Sequence, residues 1–165
     1  MDTLTRTLLV GGVIALGSLQ LQAQLYPIPD PAFAEFLQAN YPQVMVDGDL
    51  DTSDPDLVFI TSMIISDTTY RMESLDGLQF FTGLDSLMLY QLEVYDLPLP
   101  DGIKMLELYG TRVYTEAVTL PSALRYLLLM AESRLHTYVP LMLPAGLEKL
   151  RFWDSSPELA NFVFN

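Results

Sequence analysis

The chain repeats one spacing of apolar residues, Leu-x-x-Leu-x-Leu, in four segments: Leu84-Asp-Ser-Leu87-Met-Leu89, Ile103-Lys-Met-Leu106-Glu-Leu108, Leu124-Arg-Tyr-Leu127-Leu-Leu129 and Leu147-Glu-Lys-Leu150-Arg-Phe152. A weaker copy, Ile60-Thr-Ser-Met63-Ile-Ile65, precedes them, so the copies start at Ile60, Leu84, Ile103, Leu124 and Leu147. Three copies begin three residues after the proline of a Leu-Pro step, at Pro100, Pro121 and Pro144. The recurrence of both the apolar spacing and the Leu-Pro step, at a constant distance from each other, indicates an internal repeat.

The spacing predicts a stack of short parallel strands. The fourth and sixth places of each motif alternate with outward residues, as in a strand that is buried on one face. Connectors of about 15 residues separate the four stronger motifs, which is enough to lay each strand parallel to the one before. One unit cannot bury its leucines alone, so we expect a right-handed solenoid of about five strands over residues 60–165.

The connectors are expected to form the convex side of this solenoid. Prolines in them favour extended backbone over helix, at Pro98, Pro100, Pro121, Pro140 and Pro144. Apolar residues recur with a period of three from Leu75 to Leu84, which predicts a 3₁₀ turn before the second strand.

Residues 1–23 have the pattern of a secretory signal peptide. Arg6 precedes a short apolar run from Leu8 to Leu16, and small or polar residues surround Ala23. The run is too short to span a bilayer. We favour this interpretation over a buried helix, and it predicts a secreted, periplasmic or cell-surface protein with no stable membrane insertion after cleavage. The chain has no cysteine that a lipid anchor would need.

Residues 24–59 are expected to cover the beginning of the repeats. Asp30 is a good N-cap and Pro31 suits the first helical position, so a short helix is predicted over residues 30–40. Its apolar side chains, Phe33, Phe36 and Leu37, need a downstream surface to pack against.

Five aspartates follow in close succession, from Asp47 to Asp56. The first three match calcium-ligand positions of an EF-hand loop, but the required glycine is Thr52 and the required glutamate is Val58. We therefore predict a solvated loop and no metal site, with a weak cation site as the alternative.

Composition excludes several classes of function. The chain has 165 residues, a net charge of −13, no cysteine and one histidine. Nucleic acid is a poor partner for so acidic a chain. The sequence contains no phosphate-binding loop, metalloprotease helix motif or nucleophile elbow, and His136 is expected to be a surface residue on a connector. We predict a non-enzymatic protein without a cofactor.

The opening from Ile28 to Leu37, the acidic loop, the entry from Ser74 to Leu87 and the Leu-Pro repeats together resemble the secreted leucine-rich-repeat proteins of Bacteroidetes. The resemblance covers the chain from about residue 25 and implies a leucine-rich-repeat solenoid with its sheet on the concave side. The family's usual asparagine is replaced here by Leu92, Thr111, Glu132 and Ser155, so looser turns are expected. Many relatives continue into an anchoring module, so we expect either a short free form or an incomplete reading frame.

The resemblance also places three outward residues of each motif on the concave face. The candidate ligand-binding residues are Tyr90, Tyr109, Met130, Trp153, Met88, Glu107, Tyr126 and Arg151. Tyr, Trp, Met and Arg are enriched in interfaces, so we predict recognition of a protein or a glycan. Three alternatives remain: residues 154–165 cover this face, a homodimer forms through it or through the terminal strand, or the domain is structural and has no ligand.

Overall fold

A computed structural model describes residues 24–66, 72–115, 118–137, 139–153 and 162–164. The predicted signal peptide, residues 1–23, lies outside them. The central element is a five-stranded sheet in which every pairing is parallel. Its strands, in spatial order, are β4 (Ser62–Ser66), β5 (Ser86–Tyr90), β7 (Met105–Tyr109), β9 (Tyr126–Met130) and β12 (Lys149–Trp153).

The register aligns the repeats place by place. Leu87 pairs with Leu106, Leu106 with Leu127, and Leu127 with Leu150. The inward leucines of the three inner strands, at the fourth and sixth places of their motifs, are fully buried in one continuous core. The predicted stack of parallel strands is therefore confirmed as a β-solenoid of about four turns.

The connectors are more regular than the sequence analysis expected. Directly after three of the main strands come β6 (Glu93–Val94), β8 (Arg112–Thr115) and β10 (Arg134–Thr137), which pair into a second parallel sheet. Further along the chain, β11 (Leu141–Leu143) pairs in parallel with β13 (Phe162–Phe164). The predicted 3₁₀ turn is present at Leu78–Phe80.

A left-handed residue turns the chain from the first sheet into the second in each of three turns. Gln91, Gly110 and Ala131 occupy this place, with φ of 54°, 60° and 53°. Each donates its backbone N–H to the carbonyl that ends the next strand, at 2.8 to 2.9 Å. Only glycine adopts this conformation without steric cost, so the repeated bond has to hold Gln91 and Ala131 in it.

Two buried hydroxyls occupy the place where the family's asparagine was expected. The Thr111 hydroxyl donates to the Leu89 carbonyl (2.9 Å) and accepts from the Leu92 N–H (3.3 Å), and the Ser133 hydroxyl accepts from the Thr111 N–H (3.0 Å). The hydrogen bonds of these two hydroxyls, here called the hydroxyl ladder, close turns that were expected to be looser. The expected position Glu132 was wrong by one, because Glu132 is an additional left-handed residue (φ 63°) and Ser133 takes the ladder place.

The helix α1 spans Pro31–Asn40, as predicted, and buries Phe33, Phe36 and Leu37. Asp30 is 8% exposed, and its carboxylate accepts four backbone hydrogen bonds. One oxygen caps the helix at the N–H groups of Ala32 and Phe33, and the other binds those of Glu73 and Ser74 at 2.7 and 3.0 Å. This single side chain joins the helix to the first connector of the solenoid.

The acidic segment contains strands where a loop was expected, while Asp47 and Asp56 are exposed, as expected. A hairpin joins β2 (Met45–Val46) to β3 (Asp49–Asp51), and β1 (Leu25–Tyr26) pairs with the other edge of β3. Asp47 and Gly48 have φ of 53° and 94°, which is the pair of positive values that a two-residue hairpin turn requires. The Ser53 hydroxyl donates to Asp51 and lowers the pKa of that carboxyl.

We expect Asp30→Ala to lower the free energy of unfolding by about 2–4 kcal/mol, because a cap and two long-range bonds to a charged acceptor are lost together. Denaturant unfolding measures the change. The control is Asp101→Ala, which removes an exposed carboxylate from a turn. Equal midpoints for the two variants would contradict the joining role of Asp30.

We expect Thr111→Val to destabilise the chain by about 1–3 kcal/mol, since the side chain keeps its volume while the Leu89 carbonyl and the Leu92 N–H lose a buried partner. Thr119→Val, at an exposed position, is the matched control. A Thr111→Val protein as stable as the control would show that the hydroxyl ladder contributes nothing.

Candidate functional site

The eight candidate residues lie together on one side of the five-stranded sheet, here called the main face. Inward and outward residues alternate along each strand, so the third, fifth and seventh places of every motif point away from the core. The parallel register then sets residues of one place side by side across the sheet.

The seventh place forms a row that is mostly aromatic. The register sets Ser66, Tyr90, Tyr109, Met130 and Trp153 side by side. The rings of Tyr90 and Tyr109 lie 5.5 Å apart between centroids at an angle of 33°. Tyr109 is 42% exposed and Trp153 is 60% exposed. The row therefore presents ring surface to solvent at its middle and at its β12 end.

The fifth place runs down the centre of the main face. Its members across the sheet are Ile64, Met88, Glu107, Leu128 and Arg151. Ile64 is 56% exposed, whereas Leu128 is nearly buried between its neighbours. The Arg151 guanidinium lies 4.7 Å from the centre of the Trp153 ring, in a cation–π contact.

At the third place, a hydrogen bond holds the side chain of Tyr126 in β9, next to β12. The Tyr126 hydroxyl donates to Glu148 at 3.0 Å. This bond to a carboxylate raises the pKa of the phenol. Arg125 lies 3.8 Å from the same carboxylate, so Glu148 holds two side chains at the border of the main face.

The sequence analysis predicted the surroundings of His136, outside the main face, less well. His136 lies on a connector, as expected, but it belongs to the strand β10 and is half-buried instead of being a surface residue. Its ring stacks on Tyr114 with centroids 4.8 Å apart and planes 7° apart. The signal for this was present, because Tyr95 and Tyr114 follow the starts of their motifs at the same interval and His136 follows its own one position later. Glu132 accounts for that additional position.

Two kinds of feature are absent from the described part of the chain. Its His, Asp and Glu side chains form no group of three or more that would hold a metal ion. Within the same residues, no helix has the length and apolar character needed to cross a membrane.

The sequence analysis left open that residues 154–165 cover the main face. Within that segment, β13 pairs with β11 and not with a strand of the five-stranded sheet. The adjoining residues 154–161 lie outside the described residues.

Comparison of the chain with protein-family models, with curated proteins and with solved structures gave no match.

Proposed function

We propose that the chain is a non-catalytic leucine-rich-repeat module that recognises a protein or a glycan through the main face. The observation that carries this proposal is the in-register row of Tyr90, Tyr109, Met130 and Trp153, which is exposed at Tyr109 and Trp153. Rigid aromatic side chains lose little conformational entropy on binding and offer large contact areas.

The centre of the main face supports recognition more than a purely structural role. Methionines lie on three neighbouring strands, at Met88, Met105 and Met130, and Ile64 adds exposed aliphatic surface. Contiguous apolar surface on a soluble protein commonly marks an interaction site. Flexible methionine side chains also adapt to the shape of a partner.

The β12 end of the main face supplies charge for orientation. Lys149 and Arg151 lie on the same side of β12 as Trp153. Across the sheet, β4 ends the face with Ser62 and Ser66. A ligand with an acidic group at one end of an apolar segment would be oriented by this gradient.

The cellular setting belongs to the same proposal. The pattern of residues 1–23 and the resemblance from Ile28 to Leu37 support export from the cell. The helix α1 is proposed to cap the first turn of the solenoid, because Asp30 joins it to the connector at Glu73. A structural or accessory domain without its own ligand is the second candidate.

A paired substitution tests the proposal. We expect Tyr109→Ser with Trp153→Ser to weaken binding at least tenfold, because a few large aromatic side chains commonly supply most of the binding energy of an interface. The melting temperature should change little, since both side chains are exposed. The partner is first identified on a glycan array and by cross-linking to secreted proteins, then purified for titration calorimetry.

The matched control is Phe59→Ser, which removes a ring that is 75% exposed in the turn before β4. Binding that survives the paired substitution, or a large fall in its melting temperature, would reject the main face as a recognition site. The accessory-domain alternative would then stand.

A further inference from the structure

The strand β4 lies at one end of the five-stranded sheet and leaves its outer edge open. In the described part of the chain, β4 pairs with β5 alone. The Ser86 N–H donates to the Thr61 carbonyl at 3.1 Å, which sets the alternation of the ladder. The backbone groups of Met63 and Ile65 therefore bond to β5, and those of Ile64 point away from it. A further strand would find an N–H donor and a C=O acceptor at Ile64.

The side chains near this edge leave it accessible. Ile64 is 56% exposed, and Ser62 is also exposed. Tyr41 reaches the beginning of the edge, where its hydroxyl lies 3.5 Å from the Ser62 carbonyl. The backbone groups of Ile64 lie beyond this long contact and next to exposed aliphatic surface.

The strand β4 lacks the features with which proteins protect an exposed edge. Its sequence, Ser62-Met-Ile-Ile-Ser66, contains no charged residue and no proline, and its register with β5 is continuous over all five residues. The other end of the sheet differs, because β12 carries Lys149 and Arg151. Of the two ends, β4 is the one suited to accept an additional strand.

The charge around β4 has one sign. Residues 24–66 contain seven acidic residues and no basic residue. Asp54 caps the 3₁₀ turn Pro55–Phe59 that leads into β4, and Asp56 is exposed within that turn. Along the described part of the chain the first basic residue is Lys104, which already lies 3.0 Å from Asp85. This potential attracts a basic segment and repels another copy of the same acidic chain.

We propose that β4 accepts an extended, basic segment of a partner protein as an additional strand of the sheet. Backbone hydrogen bonds to Ile64 provide affinity, an aliphatic side chain of the segment packs against the Ile64 side chain, and its lysine or arginine residues lie towards Asp54 and Asp56. The inference does not depend on the function proposed for the main face, because the edge acts through backbone groups.

The test uses the whole chain and a dye-labelled peptide of nine residues in which lysine and valine alternate. One control peptide has glutamate in place of lysine, and another keeps the sequence but carries N-methyl groups on its five central amides. We expect fluorescence anisotropy to show saturable binding of the lysine peptide and at least tenfold weaker binding of both controls. Binding should weaken with increasing salt, because salt screens the attraction between opposite charges.

Two substitutions at one position test the backbone contact. Ile64→Pro removes the outward N–H and leaves the ladder to β5 in place, since that N–H takes no part in it. We expect it to weaken binding of the lysine peptide at least tenfold. Ile64→Thr is the matched control, because it keeps the N–H and a branched side chain, and its affinity should stay within threefold of the original. Melting temperatures show whether both variants are folded.

Two charge variants test the acidic surroundings without altering β4. Asp54→Asn with Asp56→Asn keeps the cap of the 3₁₀ turn, because the asparagine oxygen still accepts the N–H of residue 56. It should weaken binding of the lysine peptide at least fivefold. Asp101→Asn with Glu132→Gln removes the same charge at exposed positions elsewhere and should leave the affinity unchanged.

Three results would overturn the proposal. They are equal binding of the lysine peptide and its N-methylated form, unchanged affinity in a folded Ile64→Pro chain, and equal loss of affinity in the two charge variants. If Ile64→Pro does not fold, the N-methylated peptide and the charge variants decide. Self-association that sedimentation detects in the original chain and that Ile64→Pro abolishes would assign the edge to a second copy and so also reject the proposal.

Discussion

Each turn of the solenoid must set the same side-chain place beside that of its neighbours, because parallel strands pair in register about 4.8 Å apart. This constraint makes one continuous core out of leucines that no single turn can bury. It also places outward residues in rows, so aromatic residues at the same place of neighbouring turns lie side by side. The outward rows of both parallel sheets therefore follow from the same strand pairing that builds the core.

The register and the main face were predictable because they depend on the spacing of apolar residues alone. Leu87, Leu106 and Leu127 fixed the alignment, and Tyr109 and Trp153 followed from it. The second sheet was harder to foresee, since β6 is very short and prolines nearby suggested irregular backbone. An additional residue at Glu132 also displaced the later places by one, which hid the relation of Ser133 and His136 to the earlier turns.

The acidic segment illustrates a different limit of sequence reasoning. Its aspartates were interpreted as ligands or solvated charges, while the Asp47-Gly48 pair, with Met45 and Leu50 opposite each other on the flanking strands, is a strong hairpin signal. Local backbone chemistry at two residues decided the structure there, and the surrounding carboxylates are accommodated at the surface of a small sheet. Asp30, by contrast, is nearly buried because four N–H groups replace its hydration.

The unequal spacing of the motifs, shortest from Leu84 to Ile103 and longest from Ile60 to Leu84, has a consequence for how such a molecule evolves. Strand pairing stays in register while the connectors absorb the difference, as they do around Glu132. Insertions and deletions in the connectors are therefore tolerated, and a duplicated turn adds one strand to the first sheet. Each duplication would lengthen every outward row by one side chain, so duplication within the gene would extend a recognition surface by one strand at a time without a new fold.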